Sequence, residues 1–455
     1  MPDIFVPQNW DGIKGIEVEL NWKSSLPDRL KVNARPTNPR LFKHAKKEYD
    51  RLMQYMFQYS DSPHACALVI APKATAPFIR FCGDYKPINA YIEIGHWPIP
   101  IVQHELSKIR RFRVFLDFDL ANSFHQFRLG PITRRRLSIV TPWGQVEPRF
   151  LPEGVGPASF ILQEHMKKIF AEYDDFVVCI FDNLLVLGED YADLLRKAEL
   201  ILKKCKEYNL FLKFSKTWLG FSSVKFFGYI CQHNSYRLDD ERFQALSDMP
   251  LPRTLKAMQS FLGAALFFKD FVPHFAELAT PLYDMIRSTF VWNDSSWSES
   301  KLASFKKFLA ALKDSVAIFY PDYELVWQLR ADASTLGVGF VLFQLIPKEG
   351  KPAEIQVIML GSQKFSPQAR NWATIEQEAY SIYYAVLKCS YLLRCKSFIL
   401  ETDHNNLLWM EKSEVPKIIR WRIYLQSFVF LLRHIPGSLN LVADFFSRHG
   451  FALDE

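Results

Sequence analysis

Acidic residues at the ends of apolar segments are the first feature of this sequence that could support chemistry. Asp182 lies between two hydrophobic runs in FVVCIFDNLLVL, residues 176–187. An ionised carboxylate in an apolar setting is costly unless a partner or a cation neutralises it. Asp182 and Asn183 are predicted to form the turn of a β-hairpin, because both residue types tolerate left-handed backbone. Taken alone, the segment is more simply explained as an ordinary Asp-Asn turn.

A second acidic segment, FRVFLDFDLANSFHQF at residues 112–127, precedes the hairpin. Asp117 and Asp119 are two residues apart on a strand-like run, so their side chains are predicted to share one face. A strand that ends in carboxylates, beside a hairpin that carries another, is typical of two-metal nucleotidyl-transfer sites. Mg²⁺ prefers such hard oxygen ligands. We therefore expect two Mg²⁺ ions here, with Mn²⁺ as a possible substitute.

Four further acids lie in separate elements of the C-terminal third. Asp332 lies on a strand that runs into a glycine-containing turn, and Glu378 lies on a helix with an apolar face. Asp403 ends another strand, and Asp444 lies near the start of a helix. Each acid alone could be a helix cap or a surface carboxylate. Together, at the ends of their elements, they predict a second two-metal site.

The elements that must position these acids alternate between strand-like and helix-like patterns. From Asp239 to Leu312 the pattern is mostly helical, and from Val326 three strands, a helix over Trp372–Leu393, a strand and a helix-rich tail indicate an α/β module. The first ~40 residues, rich in Pro and Asn, are typical of an extended arm. Upstream strand-like segments are 64–73, 77–89, 114–120 and 134–142, and helix-like segments are 43–56, 157–173 and 190–208.

Composition places the chain among folded proteins that carry no membrane-spanning segment. Its 455 residues are 49% hydrophobic and 23% charged, with a formal net charge of +7. This length predicts about two to four domains. No apolar run reaches the roughly 20 residues of a transmembrane helix, and the N-terminus lacks a signal-peptide pattern. Seven cysteines without metal-type spacing favour reduced thiols in an intracellular compartment.

Basic residues lie beside aromatic residues in three segments. Cations can follow a phosphate backbone while aromatic rings stack on sugars or bases. Basic side chains that cover an aromatic core explain the same pattern equally well. The positive net charge favours an anionic partner without identifying it. The segments are Lys108–Phe115, Arg134–Trp143 and Leu212–Phe221.

Several motifs, in order, resemble those of the reverse transcriptases of gypsy-type long-terminal-repeat retrotransposons. They are SPHACALVIAPK with IRFCGDYKPINAY, LDFDLANSFHQFRL, VTPWGQVEPRFLPEGVGPASFILQ, CIFDNLLVLGEDY, FFGYI and MQSFLGAALFFKDFVPHFAELATPL. The resemblance extends from Ser62 to Arg448. It implies an α+β polymerase right hand of fingers, palm and thumb, followed by an α/β ribonuclease H-like domain. The implied divisions are an arm at 1–44, fingers and palm at 45–237, a thumb or connecting helical region at 238–322, and the ribonuclease H-like domain at 323–455.

The same resemblance implies roles for individual residues. Asp119 matches the first catalytic aspartate, and Asp182 matches the first aspartate of the paired-aspartate hairpin; both would bind metal. Lys73 and Arg80 match the residues that hold the triphosphate of the incoming dNTP. Phe124 matches the aromatic residue that excludes a ribose 2′-hydroxyl. Asp332, Glu378, Asp403 and Asp444 match the four metal-binding acids of ribonuclease H, whereas His434 is interpreted as structural or phosphate-contacting rather than catalytic.

Two departures from the family pattern concern the polymerase site. Asn183 replaces the second hairpin aspartate, which lowers the negative charge available to cations by one unit. Asp117 could supply part of that charge, although a solvated or Arg-paired strand residue is the simpler interpretation. The segment around Glu153 and Gly154 is shorter than usual, which makes their role in the nucleotide pocket less secure.

The resemblance implies an RNA-directed DNA polymerase that extends a primer with dNTPs and a ribonuclease H that cleaves the RNA strand of RNA–DNA hybrids. Its partners would be an RNA template, a DNA primer and the hybrid, without a membrane, inside a cytoplasmic retroelement particle. Oligomeric state is left open. One alternative is a polymerase-degenerate protein that binds nucleic acid and keeps only ribonuclease H activity. Another is a non-enzymatic scaffold that inherited the fold.

Overall fold

The computed structural model of the protein describes residues 2–5, 11–36, 38–73, 79–95, 102–226, 228–293, 295–402 and 413–435. Contacts between residues divide the chain into two compact units, Met1–Val224 and Lys225–Glu455. Asp403 and Asp444 lie outside the described residues. Across those ranges, no helix has both the length and the apolar character needed to cross a membrane.

The first unit combines short helices with two principal β-sheets. Its helices are α1 Pro39–Met53, α2 Lys86–Asn89, α3 Val102–Ser107, α4 Pro131–Arg136, α5 Ala158–Ile169 and α6 Tyr191–Tyr208. Its strands are β1 Glu17–Val18, β2 Leu30–Lys31, β3 Phe57–Tyr59, β4 His64–Pro72, β5 Ile79–Asp84, β6 Val114–Asp119, β7 Arg128–Leu129, β8 Ile139–Thr141, β9 Gly144–Pro148, β10 Val177–Ile180, β11 Asn183–Gly188 and β12 Trp218–Phe221.

Strands β10-β11-β6-β12 form an antiparallel sheet, here called the hairpin sheet. A separate sheet has the order β2-β4-β8-β9-β3, with β5 paired to β4. Helix α6 packs against β11 and β6. Its apolar stripe recurs at helical spacing, and Leu194, Ala198, Ile201 and Cys205 are all buried. The hairpin sheet is therefore held rigidly from one side by a well-packed helix.

Two segments of the first unit differ from the predicted pattern. Helix α1 begins at Pro39, inside the segment expected to be an extended arm, because Asn38 caps the helix and proline suits the first helical position. Arg134–Arg136 were predicted to begin a strand, but they end helix α4, which also starts with a proline. In both segments a proline at the first turn marks a helix start that the strand-like or irregular pattern concealed.

The second unit begins with a small sheet and a helical region and continues into a larger sheet. Its helices are α7 Asp240–Ser247, α8 Leu255–Ala265, α9 Phe275–Asp284, α10 Glu299–Lys313, α11 Thr374–Leu393 and α12 Pro416–Leu425. Its strands are β14 Tyr229–Gln232, β15 Ser235–Leu238, β16 Ile318–Phe319, β17 Val326–Ala333, β18 Gly337–Lys348, β19 Lys351–Lys364, β20 Phe398–Thr402 and β21 Phe430–His434, and β13 Ser223–Phe226 starts just before the division.

Strands β19-β18-β17-β20-β21 form a mixed sheet, here called the C-terminal sheet. Helix α11 packs on β17 and β18, and β20 runs parallel to both of its neighbours. Val341, Phe343, Val357 and Leu360 join the apolar core of the preceding helical region. This helical region and the C-terminal sheet thus belong to one contact unit. The four expected domain ranges stay predictions.

Candidate active sites

Strand β6 and the β10–β11 hairpin bring the predicted polymerase residues together. Asn183 pairs with Asp119 across the antiparallel ladder. The Leu120 N–H donates a 3.0 Å hydrogen bond to the carbonyl oxygen of Asp182. The end of β6 and the tip of the hairpin are therefore joined by backbone hydrogen bonds, and three of the predicted residues lie at one edge of the hairpin sheet.

The hairpin turn lies one residue earlier than the sequence predicted. Ile180 pairs with Asn183, so Phe181 and Asp182 form the turn and Asn183 begins β11. Phe181 has a φ of 52°, which is unusual for a bulky residue. Its N–H donates to the Oε1 atom of buried Gln163 at 2.7 Å, and this bond stabilises the strained turn. The turn is thus set by a residue of α5 and not by Asp-Asn propensity.

Carboxylates outnumber cations at this edge of the sheet. Asp119 is buried, and its Oδ2 accepts a 2.7 Å hydrogen bond from the Nζ of Lys216, whose side chain is 54% exposed. Burial raises the pKa of Asp117 to about 6, and the neighbouring Asp119 adds to the increase, although the Asn183 amide opposes it. Burial and Asp119 also raise the pKa of Asp182. The cluster therefore favours any added positive charge.

The predicted nucleotide-binding residues lie on other elements. Phe124 is half-buried in the 3₁₀ turn Ser123–Gln126, which follows β6. Lys73 and Arg80 are exposed near the end of the β4–β5 pair, in a different sheet from Asp119. Both basic residues thus lie toward the same end of the β4–β5 pair, whereas Asp119 and Asn183 lie in the hairpin sheet.

The shortened segment at Glu153 and Gly154 is held by a side chain that the sequence did not indicate. Asn89 Nδ2 donates to the carbonyl oxygen of Gly154 at 3.0 Å, and Asn89 Oδ1 accepts from the Gly156 N–H at 3.0 Å. Gly154 has a φ of 94°, a conformation that favours glycine. This loop is therefore ordered by a two-point amide clamp despite its short length.

The C-terminal sheet places two of the four predicted nuclease acids. Asp332 lies near the end of β17, and Glu378 is buried in α11, which packs on that strand. Strand β20 runs parallel to β17 and ends at Thr402. His434 pairs with Thr402 on the next strand. Asp403 and Asp444 lie outside the described residues, so the meeting of all four acids stays a prediction.

Two residues of the preceding helical region border Asp332. His274 and Glu277 line the same small cavity as Asp332, together with Ser334. Burial lowers the pKa of His274, and Glu277 partly opposes the decrease. These residues belong to a segment 50 residues or more before Asp332 in the sequence. No spacing pattern in the sequence could have connected them to it.

A buried ion network crosses the C-terminal sheet. Glu401 is completely buried on β20 and is paired with Arg330 on β17 and Arg433 on β21. Strand register places the three residues side by side. Unlike Asp117, this carboxylate has a cation on each side. The sequence reasoning missed the network, because each member is an ordinary charged residue until the strands are paired.

Lys216 is a further residue that the sequence did not assign to the site. It lies 97 residues from Asp119 in the chain, within the aromatic-basic segment Leu212–Phe221. That segment supplied a signal for a functional surface but not for this contact. Among the described residues, no group of three or more His, Cys, Asp or Glu side chains is arranged to hold a metal ion by itself.

Sequence models of two protein families match this chain. Residues 71–231 match the model described as reverse transcriptase (RNA-dependent DNA polymerase). Residues 322–428 match the RNase H-like domain found in reverse transcriptase. The Tf2-7 and Tf2-3 transposon polyproteins of Schizosaccharomyces pombe are each 26% identical to the chain over 446 residues, which cover 96% of this chain and 33% of each polyprotein.

The chain belongs to the gypsy-type retrotransposon reverse transcriptases with a ribonuclease H-like domain. This reverse transcriptase spans about a third of the length of the curated polyproteins that it matches. The family resemblance found in the sequence motifs is therefore confirmed. The positions of its individual catalytic residues stay predictions.

Solved structures confirm the predicted fold class of the reverse transcriptase. The foamy viral protease-reverse transcriptase in complex with dsDNA matches with a TM-score of 0.80 and 18% identity, over 93% of this chain and 88% of that one. The same viral protein in complex with an RNA/DNA hybrid matches with a TM-score of 0.74 and 18% identity, over 95% of this chain and 59% of that one. At this identity the match shows the fold alone.

Proposed function

We propose that this chain is an active RNA-directed DNA polymerase that extends a primer 3′ end with dNTPs. The observation that carries the proposal is the register of β6 and β11, which pairs Asp119 with Asn183 and joins Leu120 to Asp182. This arrangement costs free energy, because carboxylates held close together away from water repel each other. A protein that used the fold only as a scaffold would gain nothing from it.

The residues at this edge suit divalent cations. Burial first, and neighbouring carboxylates second, raise the pKa values of Asp117 and Asp182. Lys216, which pairs with Asp119, is the one cation in the described ion pairs of these three carboxylates. Carboxylate and amide oxygens are the hard ligands that Mg²⁺ prefers, and Mg²⁺ is commonly held by one or two carboxylates together with substrate phosphates. Asp119 and Asp182 would hold the ions. When bound, Mg²⁺ would lower the pKa of the primer 3′-hydroxyl and neutralise charge on the leaving pyrophosphate.

Three further side chains would act on the incoming nucleotide. Lys73 and Arg80, both exposed, would bind the triphosphate as cations. Phe124 would exclude a ribose 2′-hydroxyl by contact with its ring. The foamy viral relative was solved with dsDNA and with an RNA/DNA hybrid, which supports an RNA template and a DNA primer as partners here. A cytoplasmic retroelement particle would be the location.

The C-terminal sheet would cleave the RNA strand of the hybrid. Asp332, Glu378, Asp403 and Asp444 would hold two Mg²⁺ ions there. The parallel pairing of β17 and β20 supports this assignment, because the carboxyl ends of parallel neighbours lie at one edge of a sheet. Polymerase and nuclease would thus act in one chain with separable residues.

Separation-of-function variants test the proposal in a single preparation. Primer extension on an RNA template and cleavage of an RNA–DNA hybrid are measured with Mg²⁺ and with Mn²⁺. Asp119→Asn should abolish extension and retain cleavage, whereas Asp332→Asn should do the reverse. Parallel loss of both activities in either variant would contradict two independent sites.

Asn183 favours one alternative, a polymerase-degenerate protein that binds nucleic acid and retains only ribonuclease H activity. It predicts that the wild-type chain does not extend a primer with either metal and that Asn183→Asp restores extension. Extension by the wild-type chain excludes it.

A further inference from the structure

Half-buried Asp117 differs in its surroundings from two fully buried carboxylates, Glu147 and Glu401. Glu147 accepts hydrogen bonds from Gln58 and Ser60, at 2.8 Å each. Glu401 lies between two arginines. By contrast, Oδ1 of Asp117 is buried with no hydrogen-bond partner in the part of the chain that the structure describes. Burial of a carboxylate oxygen without a partner costs free energy, so a packing role alone does not explain this aspartate.

Asp117 and Asn183 occupy the same face of the hairpin sheet. Asp117 pairs with Leu185, and Asp119 pairs with Asn183. Side chains that are paired across the ladder, or two residues apart on one strand, point to the same side of the sheet, so these four share one face. Asn183 lies diagonally across the strand pair from Asp117, close enough for its amide to lower the pKa of the Asp117 carboxyl. Because a carboxylate accepts and an amide donates through its nitrogen, Nδ2 of Asn183 is the atom that suits Asp117, and its Oδ1 is left as a hard oxygen ligand.

We propose that Asp117 and Asn183 act as one unit of the polymerase site, in which Asp117 supplies the negative charge and positions the Asn183 amide beside Asp119. The proposal rests on the polymerase function proposed above and goes beyond it. A carboxylate on the neighbouring strand would replace the second carboxylate of the hairpin, so the total charge at the site is kept. Asp117 is a positioning residue, and Asn183 is the group that its hydrogen bond orients.

A charge-exchange series tests the unit. Asp117→Asn, Asn183→Asp and the double variant D117N/N183D are compared with the wild type by primer extension at varied Mg²⁺ concentration. Asp117→Asn should lower kcat about tenfold and raise the Mg²⁺ requirement, as loss of an orienting partner does. Asn183→Asp should also lower extension, since two adjacent carboxylates repel or share a proton. The double variant restores both the charge and the hydrogen bond, so its extension should return to within about threefold of wild type.

A binding measurement provides a readout other than catalysis. In an Asp332→Asn background, which removes a predicted nuclease ligand, Mn²⁺ binding without nucleic acid is followed by electron paramagnetic resonance. The polymerase-site affinity should fall in Asp117→Asn, and in the double variant it should recover by more than the effect of Asn183→Asp alone. Hybrid cleavage by the same variants, with Asp332 intact, should equal wild type and so controls for folding.

Two results would overturn the unit. One is independence, in which the effects of the single variants on extension and on Mn²⁺ affinity simply multiply in the double variant. The other is extension by Asn183→Asp above the wild-type rate, whatever residue stands at 117. If the wild-type chain extends no primer, the proposed polymerase function fails, and the Mn²⁺ series alone then decides whether the two residues are coupled.

Discussion

The hairpin sheet and the C-terminal sheet both bury carboxylates on neighbouring strands, but they balance them differently. Glu401 has an arginine on each side and is completely buried. At the hairpin, Asp117, Asp119 and Asp182 share one lysine, whose side chain is 54% exposed. The same chemical group is thus fully paired in one sheet and left with excess negative charge in the other.

This difference distinguishes a structural ion network from a prospective cation site. A paired buried carboxylate contributes to stability only while both partners remain, because removal of one leaves an uncompensated charge. An unbalanced carboxylate costs stability in the isolated protein and is useful only when a cation binds. Substitutions should therefore have opposite consequences in the two sheets.

The largest effect is expected at the hairpin turn. Asp182→Asn should lower primer extension by about 10³-fold, equivalent to roughly 4 kcal/mol in the activation barrier, because a carboxylate that would hold the cations is lost. The melting temperature should not fall. Glu189→Gln, an exposed carboxylate beyond the other end of β11, is the matched control and should extend normally. Extension by Asp182→Asn within tenfold of wild type would remove this distinction between the sheets.

Glu401→Gln should have the opposite profile, with a loss of stability. We expect the free energy of unfolding to fall by about 3 kcal/mol, since the substitution leaves Arg330 and Arg433 without a carboxylate. Urea unfolding of the full chain is the measurement. Glu354→Gln, which breaks the more exposed pair with Lys348 in the same sheet, should cost less than about 1 kcal/mol. Equal losses of unfolding free energy in the two variants would show that Glu401 and its two arginines do not form a structural ion network.

Asp117→Asn should raise stability at neutral pH. The pKa of Asp117 is about 6 in the folded protein and near 3.8 without its environment, so the folded state binds more protons between these values. The contribution of Asp117 protonation to the free energy of unfolding is therefore fully present below pH 4 and is lost as the pH rises through 6. Removing the carboxyl should increase the free energy of unfolding by about 1–2 kcal/mol at pH 7.5. This is less than the pKa shift implies at about 1.4 kcal/mol per pKa unit, because the interaction with Asn183 changes too.

Urea unfolding at pH 4 and pH 7.5 measures this effect without cations. The substitution should make no difference at pH 4, where Asp117 is protonated in the folded state. A destabilised variant at pH 7.5 would mean that Asp117 is as well compensated as Glu401.

Sequence patterns predicted the hairpin site because its parts are local. Alternation along β6 placed Asp117 and Asp119 on one face, and two apolar runs around Asp182 indicated the hairpin. The turn position was wrong by one residue, since Gln163 on a helix stabilises the left-handed Phe181. That interaction depends on how α5 packs, and no local propensity reports it.

The C-terminal sheet shows the same limit at larger scale. Four strands and α11 were predicted from their patterns, but β21 was assigned to a helix-rich tail. Its five residues, Phe430–His434, are mostly exposed and lack strand alternation. Parallel pairing with β20 is what makes this segment a strand. The Glu401 network depends on that pairing, so it could not be predicted before β21 was known.

The smallest effect is expected at Lys216, which is the one cation shared by the hairpin carboxylates among the described ion pairs. Because the Lys216 side chain is 54% exposed, its pair with Asp119 should contribute less than about 1 kcal/mol to stability.

Lys216 would nevertheless compete with a divalent cation for Asp119. Lys216→Gln should therefore lower, by about threefold, the Mn²⁺ concentration needed to raise the melting temperature. The measurement uses the Asp332→Asn background without nucleic acid. Lys213→Gln removes the same charge from an exposed neighbour and should leave that concentration unchanged. If both lysine variants shift it equally, Lys216 acts only through general charge, and the hairpin carboxylates are balanced by the field of the whole surface.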